Sequence, residues 1–234
     1  MKGPDSKKIE ELFDSIAVDY DRLNHLLSLG TDRSWRRRAL KDFVVPWKVQ
    51  EILDVACGTG DFSIDIASAS AKTVVTGIDL SDGMLGVMRR KVVRKGLDDR
   101  IRMIQGNCES LPFGDSSFDC VTIAFGIRNF EHREEALKEI LRVLRPGGKL
   151  VILELSVPEN PTLRWAYNLY FTHVLPMIGG LISGDRAAYR YLPASVLKFP
   201  GRKEWMATME SCGYRSVTHK AFTLGICRMY TGTK

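Results

Sequence analysis

The chain has 234 residues, 44% of them hydrophobic and 26% charged, which suits one soluble globular domain and excludes a disordered or collagen-like chain. A formal net charge of +6 favours anionic partners, nucleic acid or a lipid surface, without specifying a fold. The five cysteines, at 57, 108, 120, 212 and 227, are odd in number, widely spaced and free of any Cys-x-x-Cys pair, which argues against a zinc site or a disulfide framework.

The first residues, MKGPDSKKIEELF, lack the apolar core of a signal peptide, so a reducing cytoplasm is the expected location. Ile9, Leu12, Phe13 and Ile16 recur at helical spacing, and Leu23, Leu26 and Leu27 follow. The polar run 30–34 is read as a break before a second short helix at 35–43. From Glu51 onward strands and helices alternate: strands at 52–55, 73–78, 101–105, 118–124 and 149–155, helices at 62–69, 82–95 and 133–144. Pro146-Gly147-Gly148 is the turn before the last of these strands. Such alternation predicts βαβ units and a doubly wound, mostly parallel sheet covered on both faces. A helix at 202–212 and strands at 216–222 and 227–231 close the chain, the last two joined by so short a connection that they predict an antiparallel edge hairpin. The basic runs Arg33, Arg36, Arg37, Arg38 and Arg89, Arg90, Lys91, Arg94, Lys95 stand out; the second falls on a helix and reads as a solvated face.

Residues 165–184 contain no Asp, Glu, Lys or Arg and are numerous enough to cross a bilayer. Asn168, His173, Pro176 and the Gly179-Gly180 pair interrupt them, so a buried or interfacial segment is expected instead of a span.

The most informative string is Ile52-Leu53-Asp54-Val55-Ala56-Cys57-Gly58-Thr59-Gly60-Asp61-Phe62. A strand running through Gly58 and Gly60 into a helix lets the backbone approach a nucleotide-like ligand. Ser63 replaces the third glycine of the dinucleotide fingerprint, and Asp54 and Asp61 flank the loop with no basic residue between them. That charge repels a pyrophosphate and suits a ligand carrying an ammonium and a sulfonium, which points to S-adenosylmethionine. Asp79, nineteen residues after Gly60 at the end of the second strand, is placed to accept both ribose hydroxyls. Asn107-Cys108, after the third strand, offers a polar side chain and a backbone N–H to an adenine edge.

These residues resemble the motifs of class I methyltransferases, whose seven-stranded Rossmann-like sheet is the expected fold. Two longer strings, Tyr20-Asp21-Arg22-Leu23-Asn24-His25-Leu26-Leu27-Ser28 and Arg142-Val143-Leu144-Arg145-Pro146-Gly147-Gly148-Lys149, resemble the two signatures of the UbiE/MenG quinone C-methyltransferases. Phe125-Gly126-Ile127-Arg128-Asn129-Phe130 is similar to a third string of that family. The resemblance covers nearly the whole chain. It implies one methyltransferase domain, 1–234, with a helical lid at 1–45 and a helical insertion at 158–200 forming part of the substrate pocket. It implies a cofactor held by Thr59, Asp79, Asn107 and Cys108, beside Asp54, Gly58 and Gly60 from the loop, and a polyprenyl quinol as partner. The implied acceptor is demethylmenaquinol, with the benzoquinol of ubiquinone synthesis as the alternative; the basic charge suggests an RNA methyltransferase as a rival of another class, but no RNA-binding module is visible, and a homodimer is compatible with the reading.

Arg128, after the fourth strand, is the residue expected to stabilise a phenolate or hold a water that takes its proton. Tyr20 and His25 in the lid are candidate bases or ring clamps, and Asn129 a ligand for a quinol oxygen. The uncharged stretch 165–184 is expected to receive the prenyl tail at the membrane surface, with Arg164, Arg186 and Arg190 near lipid head groups.

Overall fold

A computed structural model describes residues 2–170 and 186–234, apart from the side chains at 23, 26, 27, 166 and 186–190. The leucines expected at 23, 26 and 27, most of the uncharged stretch, and the Arg186 and Arg190 side chains therefore lie outside the described residues.

Helices α1 (Ser6–Ile16), α2 (Tyr20–Leu27) and α3 (Thr31–Leu40) precede strand β1 (Gln50–Val55). Then follow α4 (Asp61–Ala69), β2 (Thr73–Asp79), α5 (Asp82–Arg94), β3 (Ile101–Gln105), β4 (Phe118–Ala124), α6 (Arg133–Val143) and β5 (Leu144–Leu155). The described chain ends with α7 (Pro161–Leu169), α8 (Arg186–Lys198), α9 (Arg202–Ser211), β6 (Arg215–Phe222) and β7 (Cys227–Thr233).

The seven strands form one sheet in the order β3-β2-β1-β4-β5-β7-β6. The first five positions are parallel, and β7 and β6 close the edge antiparallel, as the short connection predicted. Side-chain alternation splits the core in two: Ile52, Val75, Val151 and Leu153 pack on one face, while Leu53, Ile78, Leu150 and Ile152 pack on the other. Helices α3, α4 and α5 supply Trp35, Phe62 and Met88 to the first face. Helices α6 and α9 supply Leu137, Ile140 and the fully buried Trp205 to the second.

Two boundaries differ from the sequence reading. The run 30–34 is not a break, because α3 begins at Thr31 immediately after Gly30, whose φ of 72° turns the chain. Asp32, in that run, belongs to the ionic network described below. Strand β5 begins at Leu144, not at 149: Leu144 pairs with Phe118 and Lys149 with Cys120, and the intervening Pro146-Gly147-Gly148 is accommodated as a bulge with Gly147 at φ 76°.

Strand β1 lies between β2 and β4, where the order of connection reverses. The carboxyl ends of these strands diverge there and leave a cleft, the place where open α/β sheets bind ligands. No helix among the described residues is long and apolar enough to cross a membrane.

Candidate active site

The turn after β1 approaches the cleft with its backbone. Gly58, at φ 55°, has nothing within 4 Å of where a Cβ would stand, so that face is open to a ligand. A Cβ on Gly60, at φ 81°, would meet Met88 Cγ at 2.3 Å; this glycine lets the turn pack on α5. The Gly58 N–H donates to Asp79 Oδ2 (2.8 Å) and the Ser81 N–H to Asp79 Oδ1 (3.0 Å). Each oxygen keeps a further lone pair, the capacity two ribose hydroxyls require. The surrounding protein excludes water from Asp79 and raises its carboxyl above the usual range, the two N–H donors offsetting only part.

Asp54 is 1% exposed and accepts hydrogen bonds from Ser63 Oγ (2.6 Å) and Thr122 Oγ1 (2.8 Å). Thr122 is its register partner on β4, which is why the hydroxyl reaches it. Burial lifts the Asp54 carboxyl to about 6, against the two hydrogen bonds. Among the described residues neither Asp54 nor Asp79 has a cationic partner.

Asp61 behaves otherwise, and this amends the argument from loop charge. Its Oδ2 meets Arg36 Nη2 at 3.0 Å, and its Oδ1 is paired with Lys91 Nζ. Partial burial alone would raise the Asp61 carboxyl, but Lys91 and Arg36 outweigh it and hold it below the usual range. Arg36 also binds Asp32 (2.8 Å) and Asp65 (2.8 Å), while Lys91 pairs with Asp21 (2.6 Å), which in turn accepts from the Thr59 hydroxyl. The uncompensated negative charge of the cleft thus resides on Asp54 and Asp79, not on Asp61. Of the second basic run, Lys91 turns into this network while Arg89, Arg90, Arg94 and Lys95 are exposed.

A cavity of about 420 Å³ opens along the turn, lined by Tyr20, His25, Asp54, Thr59, Phe125 and Arg128 among others. A smaller one, of about 70 Å³, continues past Gly58 and Ala124 to Asp79, Asn107, Cys108 and Asn129. The larger volume lies within the range of small-molecule sites. Asn107 Oδ1 accepts the Glu109 N–H (2.9 Å) in a local turn, so its carbonyl shapes the loop. Cys108 is buried, and burial pushes its thiol well up, so it stays protonated.

The four residues expected to act on the acceptor separate on inspection. Arg128 is 5% exposed; its Nη1 donates to Glu154 Oε1 (2.8 Å) and the Phe125 carbonyl, and its Nε to Ser195 Oγ (3.3 Å). Burial alone would lower the guanidinium; Glu154 more than restores it, so the charge is permanent. Tyr20 borders both cavities. Loss of water raises its phenol above the ordinary value despite nearby Arg128, so it donates a hydrogen bond in place of acting as a base. His25 faces Asp32 through Nδ1 (2.9 Å) and stands 3.4 Å from Asp61 through Nε2, so its ring is built into the same ionic network. Asn129 lines the smaller cavity, and its Oδ1 accepts the Tyr191 hydroxyl (2.8 Å).

Glu154, Ser63, Thr122 and Arg36 were not singled out individually as site residues. Glu154 and Thr122 sit inside apolar strands, where a single polar residue flanked by Val, Ile and Leu was the available signal. Arg36 was hidden in a run of four arginines.

A model of the ubiE/COQ5 methyltransferase family matches residues 1–234. The chain belongs to this family. Its relatives include the demethylmenaquinone methyltransferase of Bacteroides fragilis, 44% identical over 99% of this chain and 94% of that protein. The ubiquinone/menaquinone biosynthesis C-methyltransferase UbiE of Geotalea daltonii is 48% identical over 97% of each. Among solved structures, the [4+2]-cyclase SpnF superposes with a TM-score of 0.75 at 17% identity, covering 100% of this chain and 98% of its own. A SAM-dependent methyltransferase from Aquifex aeolicus superposes with a TM-score of 0.62 at 19% identity, covering 85% and 88%. The fold is thus the Rossmann-like class I sheet, and this member of the ubiE/COQ5 family is an S-adenosylmethionine-dependent methyltransferase. The family assignment also sets aside the RNA alternative.

Proposed function

We propose that the chain methylates a ring carbon of demethylmenaquinol, the last step of menaquinone synthesis, in the cavity between Asp54 and Arg128. The observation that carries this reading is the lining of two adjoining cavities: Asp54 and Asp79, which have no cationic partner among the described residues, and Arg128, a buried guanidinium held by Glu154 beside apolar side chains. The names of the relatives supply the acceptor class.

The residues present fit S-adenosylmethionine. Asp79 would hold the ribose hydroxyls, Gly58 and Thr59 the methionine portion, Asp54 the positive end, and Asn107 with Cys108 the adenine side. When bound there, the cofactor supplies an electrophilic methyl group on a sulfonium. Everything else falls to the chain. Arg128 lies where a quinol hydroxylate would form, and a buried guanidinium stabilises developing negative charge far better than water-exposed charge does. Glu154 fixes it twice, accepting from its backbone N–H (3.1 Å) and from Nη1 (2.8 Å), so the fork points one way. Tyr20 donates to a ring oxygen, and the lid pinned by the Asp21–Lys91–Asp61 contacts excludes water. Alignment of the reactants in such a closed site can contribute about 7–11 kcal/mol.

A polyprenyl acceptor is carried by a bilayer, so the chain works at a membrane face. The test is methyl transfer from labelled S-adenosylmethionine to the naphthoquinol and to the benzoquinol. Preferential labelling of the naphthoquinol supports the reading; labelling of the benzoquinol alone assigns the chain to ubiquinone synthesis.

A further inference from the structure

Two leucines at the mouth of the larger cavity have no packing role and a strained backbone. Leu29, between α2 and α3, is 80% exposed with φ 51°. Leu224, in the turn between β6 and β7, is 73% exposed with φ 57°, and its neighbour Thr223 has φ 45°. Both leucines line the cavity that contains Arg128 and Tyr20. A residue that lines a cavity and is mostly solvent-exposed stands at its rim. Left-handed backbone at a leucine is unfavourable, and glycine or asparagine would relieve it.

The two turns are nonetheless held in place. Trp35, 3% exposed on α3, donates from Nε1 to Thr223 Oγ1 (2.8 Å). Ser28 Oγ donates to Asp32 Oδ1 (2.6 Å), which fixes the residue before Leu29 to the ionic network. Firm anchoring of a strained turn that presents an apolar side chain to water calls for an apolar occupant. The wall behind the rim is apolar as well, formed by Leu155, Leu163, Leu192 and Ile226.

We infer that Leu29 and Leu224 form a lip that grips the isoprenoid tail of the acceptor where it leaves the cavity, so that they set a preference for tailed over tail-less quinols. The inference rests on the proposed reaction, because a quinol without a tail has nothing to place there. It differs from the assignment of the tail to residues 165–184: the lip belongs to the α2–α3 and β6–β7 turns. Covering one exposed leucine with hydrocarbon corresponds to about tenfold in binding.

The experiment is the double variant Leu29→Asn/Leu224→Asn, since asparagine tolerates the left-handed region. It is assayed with a tail-less naphthoquinol and with a long-tailed one in detergent micelles. The expected result is an equal or higher Tm, kcat/KM for the tail-less acceptor within twofold of the parent, and kcat/KM for the tailed acceptor reduced at least about tenfold through KM. A lowered Tm, an equal loss on both acceptors, or no loss on the tailed acceptor overturns the lip. Loss of binding to phosphatidylglycerol vesicles, with the preference in micelles intact, assigns the leucines to the bilayer instead and also overturns it. A parent chain that methylates neither acceptor overturns the reaction itself, an outcome separate from all of these.

Discussion

Replacing Asp79 by Asn separates the two consequences of placing an uncompensated carboxylate at the cofactor. In the parent, each Asp79 oxygen accepts one backbone N–H, from Gly58 at 2.8 Å and from Ser81 at 3.0 Å. Asparagine retains one acceptor and turns an amide N–H₂ toward the other donor. One of these hydrogen bonds, worth about 0.5–1.5 kcal/mol, is lost, and so is a charged acceptor for a ribose hydroxyl, worth about 1.5–3 kcal/mol. Cofactor affinity should therefore fall about 10- to 150-fold. The cofactor-free protein responds differently. Its Asp79 carboxyl is held above the usual range by loss of water, so removing the charge returns part of what the lost hydrogen bond costs. The predicted signature at neutral pH is a large change in Kd beside a small change in Tm. Calorimetric titration with S-adenosylmethionine and thermal unfolding without it read the two quantities. A change in Kd below about threefold, or a Tm loss large enough to explain the weaker binding, refutes the reasoning.

Arg128→Lys should lower kcat about 10²- to 10³-fold with cofactor Kd within about twofold, because an ammonium cannot reach Phe125, Glu154 and Ser195 together; steady-state kinetics beside titration checks this. Glu154→Gln leaves Arg128 without its counter-charge, which should acidify the acceptor hydroxyl and move the rising limb of the kcat/KM pH profile to lower pH by about one unit; a shift to higher pH contradicts it. Asp54, lifted from 3.8 to about 6, binds more protons folded than unfolded between those values. Its contribution therefore falls as pH rises through that window, by about 3 kcal/mol in all, and is flat above it. Cofactor binding favours the ionised form, so affinity should weaken below pH 6; Asp54→Asn should reduce both dependences in unfolding and titration series, leaving the part that Asp79 contributes. Arg36→Met removes the cation shared by Asp32, Asp61 and Asp65, while Lys91 still meets Asp61 and His25 still meets Asp32, so the loss should be about 1–3 kcal/mol and thermal unfolding should show a Tm lower by about 5 °C.

The sheet was legible because hydrophobic alternation and helical spacing are local, and the strands from 101–105 and 118–124 were bounded as observed. The glycine turn was legible too, since Gly58 and Gly60 follow an apolar strand run and Asp79 ends the next strand. Charge balance was not. Asp61 read as a free acid beside a glycine turn, and only the fold brings Arg36 from α3 and Lys91 from α5 to within bonding distance of it. The same long-range pairing ties His25 to two carboxylates, as Asp32 and Asp61 meet opposite sides of one ring. Asn129 follows Arg128 directly in the short 3₁₀ turn at Ile127–Asn129, yet the two residues line different cavities. Spacing along a chain cannot distinguish adjacent residues that a tight turn sends apart.

The central claim is methylation at carbon on a quinol ring with S-adenosylmethionine as donor. The most direct test is to incubate the purified protein with methyl-labelled cofactor and demethylmenaquinol, then locate the label by NMR. The account predicts one label per product on a ring carbon, with an equal amount of S-adenosylhomocysteine formed. A label on oxygen, or cofactor bound with no transfer to any quinol, contradicts it.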